Sequence, residues 1–182
     1  MLCCIAPQLH TVPMILGIHH VAISTGNLGR LVHFYTDVLG FEIVTEIGWK
    51  DNPQIDRIVG LQGSEADSVM LRTGNIYIEL FQYHKPEGKQ SDPQRPVSDH
   101  GYTHFCIAVE DIDAEYERLL AAGMTFHCPP PGGNDSKEAP VRATYGRDPD
   151  GNVIEIQEVR DPNIRFALHR AQFSKEVSEE NP

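Results

Sequence analysis

The chain carries one pattern twice, and that repeat limits what it can fold into. Gly17-Ile18-His19-His20-Val21-Ala22-Ile23 is followed by a helix-like run and Leu39-Gly40-Phe41. Gly101-Tyr102-Thr103-His104-Phe105-Cys106-Ile107 is followed by a second such run and Ala122-Gly123-Met124. Further on, Ile76-Tyr77-Ile78-Glu79-Leu80 corresponds to Asn152-Val153-Ile154-Glu155-Ile156. A unit of this size cannot cover its own sheet, so two of them must share a core.

Each copy reads as β-α-β-β-β. In the first, residues 18–24 form a strand. Asn27 caps a helix with apolar residues at helical spacing, and Gly40 stops it. Strands follow at 41–47, 68–72 and 76–83, with Thr73-Gly74-Asn75 as a turn. Residues 49–63 form a loop with a short helical piece. In the second copy a strand covers 103–109, and Asp111 caps a helix carrying Ile112, Tyr116, Leu119 and Leu120. Strands follow at 125–128, 141–145 and 152–159, with Asp148-Pro149-Asp150-Gly151-Asn152 as the last turn. The expected organisation is an extension over 1–16, a first βαβββ module over 17–84 and a Pro-, Gly- and charge-rich linker over 85–100. A second βαβββ module covers 101–159 and a tail covers 160–182, with a short helix expected around 164–173.

Strand residues two apart share a face. Phe105, Ile107 and Val109 make the natural packing face against the helix, which turns His104, Cys106 and Ala108 the other way. The same parity groups His20 with Ala22 and Ser24, Glu79 with Tyr77 and Phe81, and Glu155 with Val153 and Gln157. A carboxylate within a strand as apolar as Ile76-Tyr77-Ile78-Glu79-Leu80-Phe81 is expensive to bury without a partner. Two imidazoles and two carboxylates are the partners a divalent cation supplies, so His20, Glu79, His104 and Glu155 are the expected metal ligands. This donor set suits nickel, cobalt, zinc, manganese or ferrous iron rather than calcium. His19 is expected to face the opposite way, and His10, His33, His84, His100 and His169 to lie on the surface.

Composition narrows the function classes. The 182-residue chain has a formal charge of −11 and 40% hydrophobic residues. That charge argues against nucleic acid or an anionic membrane as partner, and no apolar run is long enough to span a bilayer. The four cysteines, Cys3, Cys4, Cys106 and Cys128, form no C-x-x-C pair and no disulfide framework, which favours a cytoplasmic location.

Ile18-His19-His20-Val21-Ala22-Ile23 with Phe34-Tyr35-Thr36-Asp37-Val38-Leu39-Gly40-Phe41, and Arg147-Asp148-Pro149-Asp150-Gly151-Asn152-Val153-Ile154-Glu155 near the end, resemble the vicinal oxygen chelate superfamily. Its members include glyoxalase I, methylmalonyl-CoA epimerase, extradiol dioxygenases and bleomycin resistance proteins. The resemblance spans roughly residues 17–159. It implies an α+β fold of two paired βαβββ modules, forming a U-shaped mixed sheet around a metal held by His20, Glu79, His104 and Glu155. Open coordination positions would take a small substrate with vicinal oxygens. A carboxylate at position 79 resembles the glyoxalase and epimerase branch. The expected activity is therefore that of a lyase or isomerase, moving a proton next to a carbonyl through a metal-chelated enediolate, with Glu79 or Glu155 as the base. The alternatives are a ferrous extradiol-type dioxygenase and a metal-free drug- or metabolite-binding protein. Tyr77, Phe81, Cys106 and Gln157 would line the pocket by strand parity, Tyr145 from the penultimate strand, and Trp49 and Arg57 from the capping loop. Modules pair within or between chains in this superfamily, so a homodimer is compatible with the pattern.

Overall fold

The protein is described here by a computed structural model covering residues 15–132 and 139–168. The first module runs β1 (His20–Ser24), α1 (Leu28–His33), β2 (Glu42–Lys50), α2 (Pro53–Val59), β3 (Glu65–Arg72) and β4 (Tyr77–Lys85). The second runs β5 (His104–Ala108), α3 (Ile112–Ala121), β6 (Thr125–Phe126), β7 (Val141–Arg147) and β8 (Val153–Val159). The sheets have matching orders, β1-β4-β3-β2 and β5-β8-β7-β6. In each, the first strand pairs in parallel with the last and the other pairings are antiparallel. The fold is α+β, as expected, with two separate four-stranded mixed sheets.

Local chemistry sets the element ends. The Asn27 side chain accepts the Arg30 N–H at 3.0 Å, and Asp111 accepts the Ala114 N–H at 3.1 Å, each satisfying a donor in a first helical turn. Beyond α1 the chain widens into a π-helical turn, Phe34–Val38, closed by Leu39 N–H on the Phe34 carbonyl at 3.1 Å. The loop expected over 49–63 contains α2, which has Asn52 as cap, Pro53 in the first turn and Gly60 in the left-handed conformation beyond its end. Trp49 lies within β2, not in the loop. No helix forms over residues 164–168. There the Asp161 carboxylate takes the Asn163 N–H, and tight turns end on Ile164 and Ala167. The remainder of that expected helix, like most of the N-terminal extension, lies outside the described residues.

One core serves both modules. Ile23, Val69, Leu71, Ile78 and Leu80 from the first sheet join Leu31, Phe34 and Tyr35 from the helical segment. The same cluster holds Ile112, Leu119, Met124, Ile154 and Ile156 of the second module, with Phe105, Ile107 and Val109 packed against it. Each sheet therefore turns its helix-covered face toward the shared core and its other face outward. Tyr35 contacts Phe105 (ring centroids 6.4 Å apart), Arg30 pairs with Asp150, and Arg118 donates to the Val38 carbonyl at 2.8 Å. The helix of one module thus seats on the strands and closing turn of the other.

Candidate metal centre

His20 opens β1, and Glu79 lies in β4 opposite Ala22, two residues beyond the histidine. In the second module His104 opens β5, and Glu155 lies in β8 opposite Cys106, again two residues on. Equal register gives equal geometry. His20 Nε2 is 3.4 Å from Glu79 Oε2, and His104 Nε2 is 3.1 Å from Glu155 Oε2. Two donors bound at about 2.1 Å with an angle between 90° and 109° lie roughly 3.0–3.4 Å apart. Each pair therefore has the spacing of one half of a metal shell.

The outer nitrogens are also engaged. Thr103 Oγ1 is 2.9 Å from His104 Nδ1, and His19 Nδ1 is 3.0 Å from His20 Nδ1. In both modules the residue preceding the histidine holds Nδ1, which leaves Nε2 toward the carboxylate. Such outer contacts fix ring orientation in metal sites. The carboxylates have supports of their own: Ser68 Oγ donates to Glu79 Oε1 at 3.4 Å, and Gln157 Nε2 donates to Glu155 Oε1 at 3.3 Å.

Among the described residues, no three His, Cys, Asp or Glu side chains come together as a metal-holding group. The reason is the shared core. The pairs lie on the sheet faces opposite those that carry Ile78, Leu80, Ile154 and Ile156 into that core. The four expected ligands therefore stand as two separate His–Glu pairs, not as one cluster.

The other expected site residues sort with these pairs. Tyr77 and Phe81 flank Glu79 on β4, and Trp49 reaches Phe81 from β2 (centroids 5.9 Å apart). Tyr145 stands beside His104, with ring centroids 4.7 Å apart and its hydroxyl 3.5 Å from Nε2. Burial first, and then the Glu155 carboxylate, raise its pKa. The Cys106 thiol is pushed up by burial of the sulfur and by the Glu155 carboxylate it meets. Arg57 is exposed on α2, and no described contact joins it to either pair.

His19 departs from its expected place. β1 starts at His20, so strand alternation does not extend back to it, and its ring stacks on Tyr77 at 5.0 Å. Sequence reasoning also missed Tyr83, whose pKa is raised by burial and then by Glu79. Its parity with Glu79 and Phe81 was the available signal. Ser68 was missed because its contact with Glu79 depends on cross-strand register, whereas Thr103 directly precedes His104 and holds the repeat position of His19.

A sequence profile of the Glyoxalase/Bleomycin resistance protein/Dioxygenase superfamily matches residues 17–156. The chain belongs to this superfamily. It is 30% identical over 149 residues to a 2-epi-5-epi-valiolone epimerase of an Actinomyces species, covering 80% of each chain. It is 28% identical over 150 residues to a lactoylglutathione lyase of Haemophilus influenzae, covering 76% of this chain and 90% of the relative. A glyoxalase family protein from Bacillus cereus shares the fold, with a TM-score of 0.70 at 24% identity over 82% of this chain and 97% of that one. Superfamily membership accounts for the repeated βαβββ modules. No helix among the described residues is long and apolar enough to cross a membrane.

Proposed function

We propose that this superfamily member is a divalent-metal-dependent lyase or isomerase that moves a proton on the carbon next to a carbonyl. We further propose that its metal site forms between two copies of the chain. His20 and Glu79 of one copy would face His104 and Glu155 of the other. The observation that carries this reading is the matched pair geometry, Nε2 to Oε2 at 3.4 and 3.1 Å, on two outward faces of one chain. The relatives named as an epimerase and a lyase support the reaction class.

When bound, the cation supplies Lewis-acid polarisation to the vicinal oxygens of a small substrate. The residues of the chain do the rest. Nε2 of both histidines stays available because Nδ1 is held by the preceding residue. Glu79 and Glu155, at 13% and 14% side-chain exposure, are shielded enough to hold a proton close to the reacting carbon and open enough to reach it.

Elemental analysis of protein purified without chelator or metal-affinity tag, beside His104→Ala, tests the reading. About one equivalent of nickel, cobalt, zinc or manganese per chain is expected in the wild type, lost in the variant. Metal-dependent exchange of a carbon-bound proton with deuterated solvent is then expected for an α-hydroxycarbonyl compound. Stoichiometric iron with oxygen uptake on a catechol would move the protein to the dioxygenases. A chain that binds no metal on titration would leave only the ligand-binding alternative.

A further inference from the structure

The sheet face that carries Glu79 continues into an aromatic wall. Phe81 and Tyr83 follow Glu79 at two-residue steps along β4, and Trp49 stands opposite on β2. Between them β3 contributes Ala66, in register with Trp49 and Tyr83, and Ser68, in register with Phe81. Both are small and buried, at 0% and 2% exposure, so rings from the outer strands meet across the central one. Trp49 lies edge-on to Phe81 and Tyr83, with centroids 5.9 and 5.8 Å away, and Phe81 stacks on Tyr83 at 5.9 Å and 28°. All three rings stay partly exposed.

The wall is preorganised. Trp49 Nε1–H donates to Ser64 Oγ at 2.9 Å, and Ser64 Oγ–H donates to Asp56 Oδ1 at 2.5 Å. Asp56 also accepts the backbone N–H groups of Gly63 and Ser64, both at 2.8 Å, so the indole is tied to the loop after α2. Rings already ordered in this way lose little entropy on binding a ligand.

The charge around the wall is mixed: Lys85 lies two residues beyond Tyr83 on β4, with its Nζ 3.7 Å from where a Cβ on Gly63 would sit. Glu79 adjoins the wall. Arg72, on the same face, is paired with Glu42. On the second sheet Arg147 donates to the carbonyls of Gly151 and Arg95, at 2.7 and 2.9 Å.

We propose that Trp49, Phe81 and Tyr83 form a substrate subsite for a compound whose flat ring lies on this wall while its vicinal oxygens reach the His20–Glu79 end. The oxygen end of this assignment rests on the proposed metal function, whereas the ring end does not.

Trp49 is the sole tryptophan of the chain, so its emission reads the wall directly. In metal-free protein, 4-nitrobenzyl alcohol should quench Trp49 saturably. Phe81→Leu keeps an apolar side chain in the sheet but removes the flat ring. It should weaken the alcohol about tenfold while leaving thermal unfolding close to wild type, and Tyr83→Leu gives the same reading should that variant misfold. In metal-loaded protein, 4-nitrobenzohydroxamate should bind about tenfold more tightly than acetohydroxamate, the excess being lost in the leucine variant. Non-saturable quenching of the wild type overturns the subsite. An unchanged affinity in both leucine variants overturns it too. Saturable binding of the alcohol with hydroxamates indifferent to metal would defeat the metal function and leave the subsite standing. The reverse pattern would defeat the subsite alone.

Discussion

The hydroxyl of Tyr35 donates to Oδ2 of Asp148 at 3.2 Å, and both residues are buried where the two modules meet. The tyrosine sits in the π-helical turn of the first module and the aspartate in the closing turn of the second. Burial first, and then the Asp148 charge, raise the Tyr35 pKa well above its ordinary value, so the phenol remains a donor throughout the neutral range. This contact helps hold the modules with their helix-covered faces together and their His–Glu pairs outward. Tyr35→Phe keeps the ring and leaves one buried carboxylate oxygen short of a donor. It should lower stability by about 1–2 kcal/mol in urea denaturation. A loss below a few tenths would show that the hydroxyl contributes little to the junction.

Asp148 makes part of the stability dependent on pH. Burial raises its pKa, against the lowering effect of the Asn152 side chain and nearby backbone N–H groups. A carboxyl whose pKa is higher folded than unfolded binds more protons in the native state. Its contribution therefore declines as pH rises from the ordinary aspartate range through the raised folded value. Asp148→Asn removes that titration together with an acceptor used by Tyr35 and Asn152. Its stability deficit relative to wild type should be larger at pH 4 than at pH 8. A deficit that grows with pH would mean the carboxylate is stabilised, not strained, by its surroundings.

A metal site shared between copies has a signature that a site within one chain lacks. His20→Ala and His104→Ala should each lose metal as pure proteins. After co-refolding, a mixed dimer has one site with both lesions and one with none. About a quarter of wild-type metal should return on random pairing. No recovery after confirmed exchange of chains would argue against the shared site.

Gly151 is constrained twice. Its φ of +87° lies in the left-handed half of backbone space, and a Cβ there would sit 2.4 Å from the Pro93 Cα of the linker. Gly151→Ala should cost about 2–4 kcal/mol, from backbone strain plus displacement of the linker. Circular dichroism melts would register this as a drop of roughly 5–15 °C. An unshifted melt would show that the linker yields freely.

Arg142 is buried, with only 3% of its side chain exposed, and its guanidinium meets Asp113 at 2.6 and 2.8 Å. The same group donates to the Pro130 and Pro131 carbonyls, tying the proline-rich loop to α3. Asp113 is half-exposed, so water screens part of the attraction. Asp113→Asn should therefore cost about 1–2 kcal/mol, less than the loss of a fully buried pair. Equal urea midpoints for variant and wild type would indicate that the carbonyl contacts suffice.

The modules, most strand positions and the sharing of a sheet face by each His and Glu were legible because they follow from local rules. Strand parity placed His104 opposite to Phe105 and Ile107, and the structure puts the latter two against the core. The same parity would have found Tyr83, and the repeat itself would have flagged His19 and Thr103 as matched neighbours of His20 and His104. The extent of β2 to Lys50 and the tight turns over 161–168 were less legible. They depend on pairing with β3 and on the Asp161 side chain, which compete with intrinsic preference.

By itself, the sequence determined the duplicated βαβββ plan and which face of its strand each imidazole and carboxylate takes, since period-two alternation and internal repetition are properties of the chain read locally; that His20 sits beside Glu79 and His104 beside Glu155 follows from the parallel register of distant strands. Only the tertiary structure decided that the two pairs face away from one another. That outcome depends on Tyr35 reaching Asp148 and Phe105 across the modules, and on apolar residues of both sheets entering one core. Burial of apolar surface is non-directional. The hydrophobic pattern alone therefore requires that the helix-bearing faces be covered, and the arrangement of long-range contacts selects which surface covers them.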